Sequence, residues 1–416
     1  MEQVKAIKNI ACFGEAQKDI EGFIVCNFFV IKYLLEMGNH VFHYKGPNAK
    51  WDKELLNFPN YHSITISDTN IKSFFYSNFG FLTKIDPTYM FFLMDLIFTP
   101  FTARKTKSFL RKEHLKHCFT HLIFLGFPAY FDIQGVKVLS WVQGPPNTEE
   151  KCIKNLKGLI IQYCGVFTYI KLRIGYFFKK TILVPFDKYS DLLICPSNWS
   201  AQEVIRDGLD PKMVKSIPYS TDIERYSKCK DPLARTKSEY FQLLWLGRCT
   251  PRKRLDLLID ALTILFNKRD DIRLKFIGSF TYVKKFENLI LHSKFKDRIE
   301  VIERIPKAEV KNVLKEIDIL VQPSEAENFG SSIAEALSAG IPVVVGKTNG
   351  TKDYGGKAVF VFEEYTPESL ANKIEEAISQ LTTNYQELHK EAQSSAKKYL
   401  DPNVVARQFW EVLRDL

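Results

Sequence analysis

None of the eight cysteines, Cys12, Cys26, Cys118, Cys152, Cys164, Cys195, Cys229 and Cys249, forms a C-x-x-C pair. That scatter speaks against a zinc or disulfide framework and for reduced thiols in a cytoplasmic setting. The eight histidines, His40, His43, His62, His114, His117, His121, His292 and His389, show no metal-ligand spacing, so no metal is expected and they are read as structural or surface groups. Long apolar runs are also missing. Tyr89–Phe101 and Leu156–Leu172 are short or interrupted and fall below the ~20 residues of a membrane span. The opening stretch MEQVKAIKNIACFGE enters a strand directly, without the apolar core of a signal peptide. There is no low-complexity tract and no short internal repeat.

A chain of 416 residues, 45 % hydrophobic and 25 % charged, predicts two or three soluble globular domains. Its net charge of +10 is local. Residues 101–120 carry Arg104, Lys105, Lys107, Arg111, Lys112 and Lys116 against Glu113 alone. Residues 151–180 carry Lys151, Lys154, Lys157, Lys171, Arg173, Lys179 and Lys180 against no acid. Both segments are rich in Phe, Leu, Ile and Tyr. Basic, aromatic and apolar residues together suit an anionic membrane surface, while core helices with solvated lysines are the plainer alternative. No groove-reading motif accompanies the charge, so no nucleic-acid partner is expected.

Strand-like and helix-like runs alternate along the chain, the pattern of an α/β protein with parallel sheets. In the first half the pattern predicts strands at 8–13, 41–44, 121–125, 136–142 and 192–195. Helices are predicted over 22–37, stopped by Gly38, and from Pro196 to about Asp207 with Ser197 as its cap. A polar stretch without apolar period, from Thr221 to about Tyr240, marks the joint. A second series of strands follows at 241–247, 274–278, 299–302, 317–321 and 341–346. The expected domains are 1–225, 240–395 and a carboxyl-terminal helix within 396–416 that packs back across the joint.

The stretch SEAENFGSSIAEALSAGIPVVVG places Glu327 and Glu335 on either side of a glycine turn, between a predicted strand and a helix stopped by Gly340. Such a loop lies at the carboxyl edge of a parallel sheet, where open α/β folds bind ligands. Amides of Gly330, Ser331 and Ser332 would open the helix toward an anion, and Glu335 could accept from two neighbouring hydroxyls. Taken alone, one glutamate would be a cap and the other a solvated helix residue. At the end of the first strand of the second series, LGRCTPRKRLDLLIDAL gives Gly247 for the turn and leaves Arg248 and Lys253 at the mouth, two cations suited to a diphosphate.

These stretches resemble the retaining glycosyltransferases of family 4 (glycosyl transferases group 1). GRCTPRK matches the family's G-R-x-x-x-x-K, Glu327 to Glu335 its E-x7-E with F-G inside, and ALSAGIPVVV follows as it does there. EGF before a helix ending in MGNHV, and LLICPSNWSAQEVIRDG followed by VKSIPYSTDIERY, support the resemblance in the first half. It covers most of the chain apart from roughly 60–120 and 147–185. The resemblance implies a GT-B fold, two Rossmann-like doubly wound domains facing each other across a cleft, and metal-independent transfer of a hexose-type sugar from a nucleoside-diphosphate sugar to a glycan or lipid-linked hydroxyl with retention. By it, Arg248 and Lys253 bind the donor diphosphate and stabilise the leaving group, Glu335 holds the ribose, and Glu327 contacts the donor sugar. Gly247 and the amides of Phe329, Gly330, Ser331 and Ser332 line the donor site. No D-x-D triplet of metal-dependent transferases occurs.

Two departures bear on the site. Many relatives carry a histidine after the strand that here reads VKVLSWVQGPPN, where this chain has Gln143. Glutamine can hydrogen-bond a sugar hydroxyl but cannot take a proton. NGTKDYGG stands where the family often has two glycines and a glutamate; there Lys352 is a candidate contact to phosphate or acceptor, as is Gly14 in the first half. The expected setting is cytoplasmic, peripheral at the inner face of a membrane. A GT-B nucleotide-sugar epimerase and a non-catalytic sugar-nucleotide-binding scaffold are the alternatives, since fold does not fix function.

Overall fold

The computed structural model describes residues 8–18, 23–46, 50–66, 103–144, 146–178, 186–229, 239–280 and 285–416. The Tyr89–Phe101 run, the start of the first helix at Gly22, the middle of the joint near residue 230, and Lys179 with Lys180 lie outside them. The chain folds as two compact units, one of residues up to Glu150, Ile170–Pro218 and Asn403–Leu416, the other of Lys151–Tyr169 and Tyr219–Pro402.

The first unit has strands β1 (Asn9–Phe13), β2 (His40–Lys45), β3 (Tyr61–Thr65), β4 (His121–Gly126), β5 (Lys137–Val142), β6 (Leu192–Cys195) and β7 (Val214–Ser216). They pair in parallel in the order β3-β2-β1-β4-β5-β6-β7. Its central strands are short, nearly continuous apolar runs because both faces are covered, as in LIFL of β4 and LLIC of β6. The expected first helix is Phe23–Glu36 and the second Asn198–Arg206. Ser197 caps the latter in a reciprocal box with Ser200, satisfying orphan amides at the helix entrance. The helix Pro402–Asp415 closes this unit, with Phe409 buried against Trp141 and Lys8 reaching the carbonyl of Leu413.

The second unit has β8 (Phe241–Leu246), β9 (Ile272–Ile277), β10 (Ile299–Ile302), β11 (Ile319–Gln322), β12 (Val343–Gly346) and β13 (Val359–Phe362), all parallel, in the order β10-β9-β8-β11-β12-β13. This is the Rossmann order. Its direction reverses between β8 and β11, which pair through Leu243 with Ile319 and Leu244 with Leu320. A crevice opens outside the carboxyl ends at such a reversal. The helices Leu255–Lys268 and Pro367–Leu400 cover the sheet, the latter interrupted at Asn384.

The division of the chain differs from the sequence expectation at three points. Residues 151–169 cluster with the second unit because Leu159, Tyr163 and Cys164 pack on its core, with Tyr163 against Phe286. The joint falls at Pro218, since Tyr219 and Tyr226 are already buried in the second unit. Residues 396–402 belong to the second unit, and only Asn403 onward to the first. Strands β3, β7 and β13 have no counterpart in the sequence pattern.

Gly340 ends the helix Ser331–Ser338 as expected. With φ of 78°, it lets its own amide reach Leu337 O at 3.0 Å while Ile341 N reaches Ala336 O at 2.9 Å, a Schellman closure. A Cβ at Gly340 would stand 2.2 Å from the buried His389 ring. Gly340→Ala is therefore expected to cost about 2–4 kcal/mol from backbone strain plus overpacking. Unchanged thermal melting of that variant would contradict this close packing.

Candidate functional site

The loops after β8 and β11, on the two sides of the strand-order reversal, carry most of the residues expected from the sequence. After β8, Gly247 turns the chain, and Pro251–Lys253 forms a single 3-10 turn. Arg254 then adopts a left-handed conformation, φ 51°, before the helix Leu255–Lys268. Its guanidinium is fixed by Asp256 and by Glu325 Oε2 at 3.0 Å, and Glu325 N donates to Arg252 O at 2.8 Å. The two loops are thus laced together by main chain and charge.

Glu327 is the centre of this lacing. The residue is 8 % exposed, and its Oε2 meets both Lys253 Nζ and Arg252 Nη1, the latter at 3.1 Å. Arg252 also donates to Ala326 O at 3.0 Å. The Glu327 backbone is clamped by the turn after β12, its N–H donating to Thr348 O at 3.1 Å and its carbonyl accepting from Gly350 N at 2.8 Å. Burial alone would push this carboxyl up. Arg252 and Lys253 outweigh it and bring it down to about 2. Burial lowers Lys253, Glu327 opposes that shift, and the neighbouring charges of Arg252 and Arg248 add to it. Arg248 itself is exposed. Three cations and one carboxylate therefore gather at the crevice, with Arg248 facing solvent.

Phe329 and Gly330 lead from Glu327 into the helix Ser331–Ser338. Gly330, φ 94°, is the N-cap and has no side chain to satisfy the first-turn amides. A Cβ there would approach Ile333 Cδ1 at 2.8 Å and Thr351 Oγ1 at 3.1 Å, so the turn requires glycine. Thr351 donates to Phe329 O, and the Phe329 ring packs edge-on to Tyr219. Ser331 is exposed and Ser332 half-buried at the helix opening. Glu335 stands one turn further in, half-buried beside the Tyr226 phenol; burial first, and the Glu335 charge second, push that phenol up.

The remaining expected residues are placed elsewhere. Lys352 lies in the turn Gly350–Tyr354 and donates to Lys347 O at 2.9 Å, within its own loop rather than toward the cation cluster. Gly14 and the exposed Gln143 belong to the first unit, just past the carboxyl ends of β1 and β5. The Gly14 carbonyl accepts from His43 Nε2 at 2.7 Å, while His43 Nδ1 meets Tyr61 Oη at 2.8 Å. Burial drives this imidazole down to about 3, so it is a neutral structural group. Among the described residues no group of three His, Cys, Asp or Glu side chains could hold a metal ion.

Sequence reasoning missed Arg252 and the Thr348–Thr351 turn. Arg252 lies inside GRCTPRK, but a run of cations has no period to show which one turns inward. Gln322, at the end of β11, is fully buried with neither amide atom partnered, 3.6 Å from where a Cβ on Gly247 would stand.

Residues 232–399 match the family model of glycosyl transferases group 1. The chain is 28 % identical over 201 residues to a phosphatidylinositol N-acetylglucosaminyltransferase subunit of Arabidopsis thaliana, covering 48 % of this chain and 44 % of that protein. It is 27 % identical over 212 residues to an uncharacterized glycosyltransferase of Methanocaldococcus jannaschii, covering 50 % and 54 %. The chain thus spans about half the length of these relatives. Its fold is similar to that of Anabaena HepE, solved in complex with UDP and glucose, with a TM-score of 0.62 at 18 % identity over 98 % of this chain and 100 % of that one. Residues 232–399 are thus similar to the glycosyl transferases group 1 family, and the chain has the GT-B fold of two Rossmann-like domains.

Proposed function

We propose that this protein is a retaining glycosyltransferase that moves a hexose-type sugar from a nucleoside-diphosphate sugar to a hydroxyl of a glycan or lipid-linked acceptor. The observation that carries the reading is the gathering of Arg248, Arg252 and Lys253 with Glu327 at the strand-order reversal, one turn from an uncapped helix opening. In this reading Arg248 and Lys253 bind the diphosphate, and the amides of the Phe329–Ser332 turn add partial positive charge. Glu335 accepts from the ribose hydroxyls. Glu327 Oε2 holds the two half-buried cations Arg252 and Lys253 in place, and its other oxygen accepts from a donor-sugar hydroxyl. The acceptor oxygen attacks the anomeric carbon on the face from which the diphosphate leaves; the C–O bond to acceptor forms, that to phosphate breaks, and the acceptor proton passes to the departing phosphate. Charge develops on the leaving group, where preorganised cations act most strongly. The similarity to a protein named for phosphatidylinositol supports a lipid-borne acceptor, and the reading includes a peripheral membrane site of action on the cytoplasmic side.

Melting in the presence of nucleoside diphosphates and their sugars tests this. One nucleotide class should stabilise the parent, by about 2.7 kcal/mol at a hundredfold excess over Kd, and not the Arg248→Ala, Lys253→Ala variant. Equal stabilisation of both proteins would remove the diphosphate role from this cluster. A product of inverted configuration would overturn retention, and loss of turnover on chelation would overturn metal independence.

A further inference from the structure

The seam between β8 and β11 holds a side chain that the fold leaves unmatched. Gln322 closes β11 after the apolar Ile319, Leu320 and Val321, in register with Val345 of β12. It is 0 % exposed, and among the described residues neither its Nε2 nor its Oε1 meets a hydrogen-bonding partner. An amide so placed has left water without compensation, which costs stability. Methionine would fill a similar volume without that cost, so packing does not account for a glutamine here.

The neighbouring turn shows where the amide leads. Gly247 is half-exposed, and its φ lies outside the left-handed region, so φ does not itself require glycine. A Cβ on it would stand 3.6 Å from Gln322 Nε2, 3.9 Å from Lys253 Cε and 4.0 Å from the Trp245 ring, ordinary contact distances on every side. A methyl group fits there, yet the chain carries none. The space beside Gly247 thus has the buried amide as one wall and the stem of Lys253 as another.

Lys253 indicates what arrives in that space. Its ammonium already faces Glu327, and a further group that it binds is an anion. Phosphate oxygens accept hydrogen bonds without donating, which suits the N–H of a carboxamide. A nucleobase would need a ring to stack on, and the Trp245 face is already taken by Phe276 at 4.6 Å and 10°.

We infer that Gln322 is a further binding residue of the donor site: its carboxamide turns into the space beside Gly247, donates from Nε2 to an oxygen of the donor diphosphate and accepts from Lys253 Nζ at Oε1. The inference rests on the reading of the cation cluster as a nucleoside-diphosphate-sugar site. Binding then gives partners to both ends of an amide that the fold alone leaves bare, so donor affinity draws on a deficit built into the free protein.

The test compares the parent with Gln322→Met, Gly247→Ala and the double variant, by melting and by titration with UDP, GDP and ADP. The diphosphate that stabilises the parent most is carried through the series, beside its nucleoside. Gln322→Met should melt at or above the parent, since an unmatched polar group gives way to an apolar one of similar volume. It should bind the diphosphate about tenfold or more weakly, the loss of one hydrogen bond to a charged group, and the nucleoside as the parent does. Gly247→Ala should fold and weaken binding similarly, because its methyl fills the space that the amide enters. In the double variant the two losses should not add.

A Gln322→Met variant that binds the diphosphate as the parent does overturns the inference and leaves the donor reading standing. One that melts well below the parent shows the amide matched within the fold, and overturns it too. Equal weakening toward the nucleoside moves the amide to the base or ribose and ends the phosphate contact, and losses that add end the shared space. A parent that none of the three diphosphates stabilises removes the donor site itself, and the inference with it.

Discussion

Lys253→Met should lower turnover by about 10²–10³-fold while leaving the protein folded, the loss typical of removing one preorganised donor from a developing negative charge. The fold should survive because the methionine fills similar space and Glu327 keeps Arg252 at 3.1 Å. The effect should fall on kcat more than on KM, since the leaving diphosphate gains charge only as the glycosidic bond breaks. In the parent, activity needs the ammonium form. Burial lowers Lys253 from its ordinary 10.5, so the alkaline limb of the pH profile should lie below that value and vanish in the variant. A methionine variant within about threefold of the parent would exclude Lys253 from leaving-group stabilisation. Arg248→Ala, at an exposed position, should weaken donor binding without changing stability.

Glu327→Ala should be the most destabilising single change at the site. It strands Lys253 and Arg252 together without a counter-charge, a class of change that costs about 3–5 kcal/mol and lowers melting on the order of 10 °C for a unit of this size. Glu327→Gln keeps the shape and still accepts a hydrogen bond, so its cost should be smaller. The pH dependence separates charge from packing. Glu327 titrates at about 2 when folded against an ordinary 4.5. Its charge therefore stabilises the fold fully above 4.5, and that stability, of order ~3 kcal/mol, is lost as pH falls toward 2. Melting of the parent should drop across that window more steeply than that of Glu327→Gln. Parallel curves would show that the carboxylate is not coupled to folding.

Local signals carried much of this structure. Ser197 at a helix entrance, Gly340 at an exit and the apolar runs of β4, β6, β8, β11 and β12 each announce themselves over a few residues, because caps and buried strands are written in adjacent positions. The juxtaposition of Lys253 with Glu327 was also legible, since both sit at strand ends that the alternation puts on one sheet edge. What was hidden depends on distant partners. Residues 151–169 join the second unit through Tyr163 on Phe286, a contact no local pattern encodes. Arg252 turns inward because Pro251 starts a 3-10 turn that Arg254 ends in a left-handed conformation, and that geometry is invisible in a run of basic residues. Strand β3, at the sheet edge, reads YHSIT and buries only Tyr61 fully, too polar to mark itself as a strand.

The way the chain passes between its two units bears on synthesis. A ribosome delivers residues in order, and an amino-terminal domain ordinarily folds while the remainder is still being made. Here the first unit receives Phe409 and Trp410, which it buries, only after every residue of the second unit has emerged. Until then Trp141 lacks its partner ring and the unit waits with an open seam. The second unit has no such delay, since its early segment, 151–169, is already present when its sheet is translated. The later-made unit can therefore finish folding before the earlier-made one.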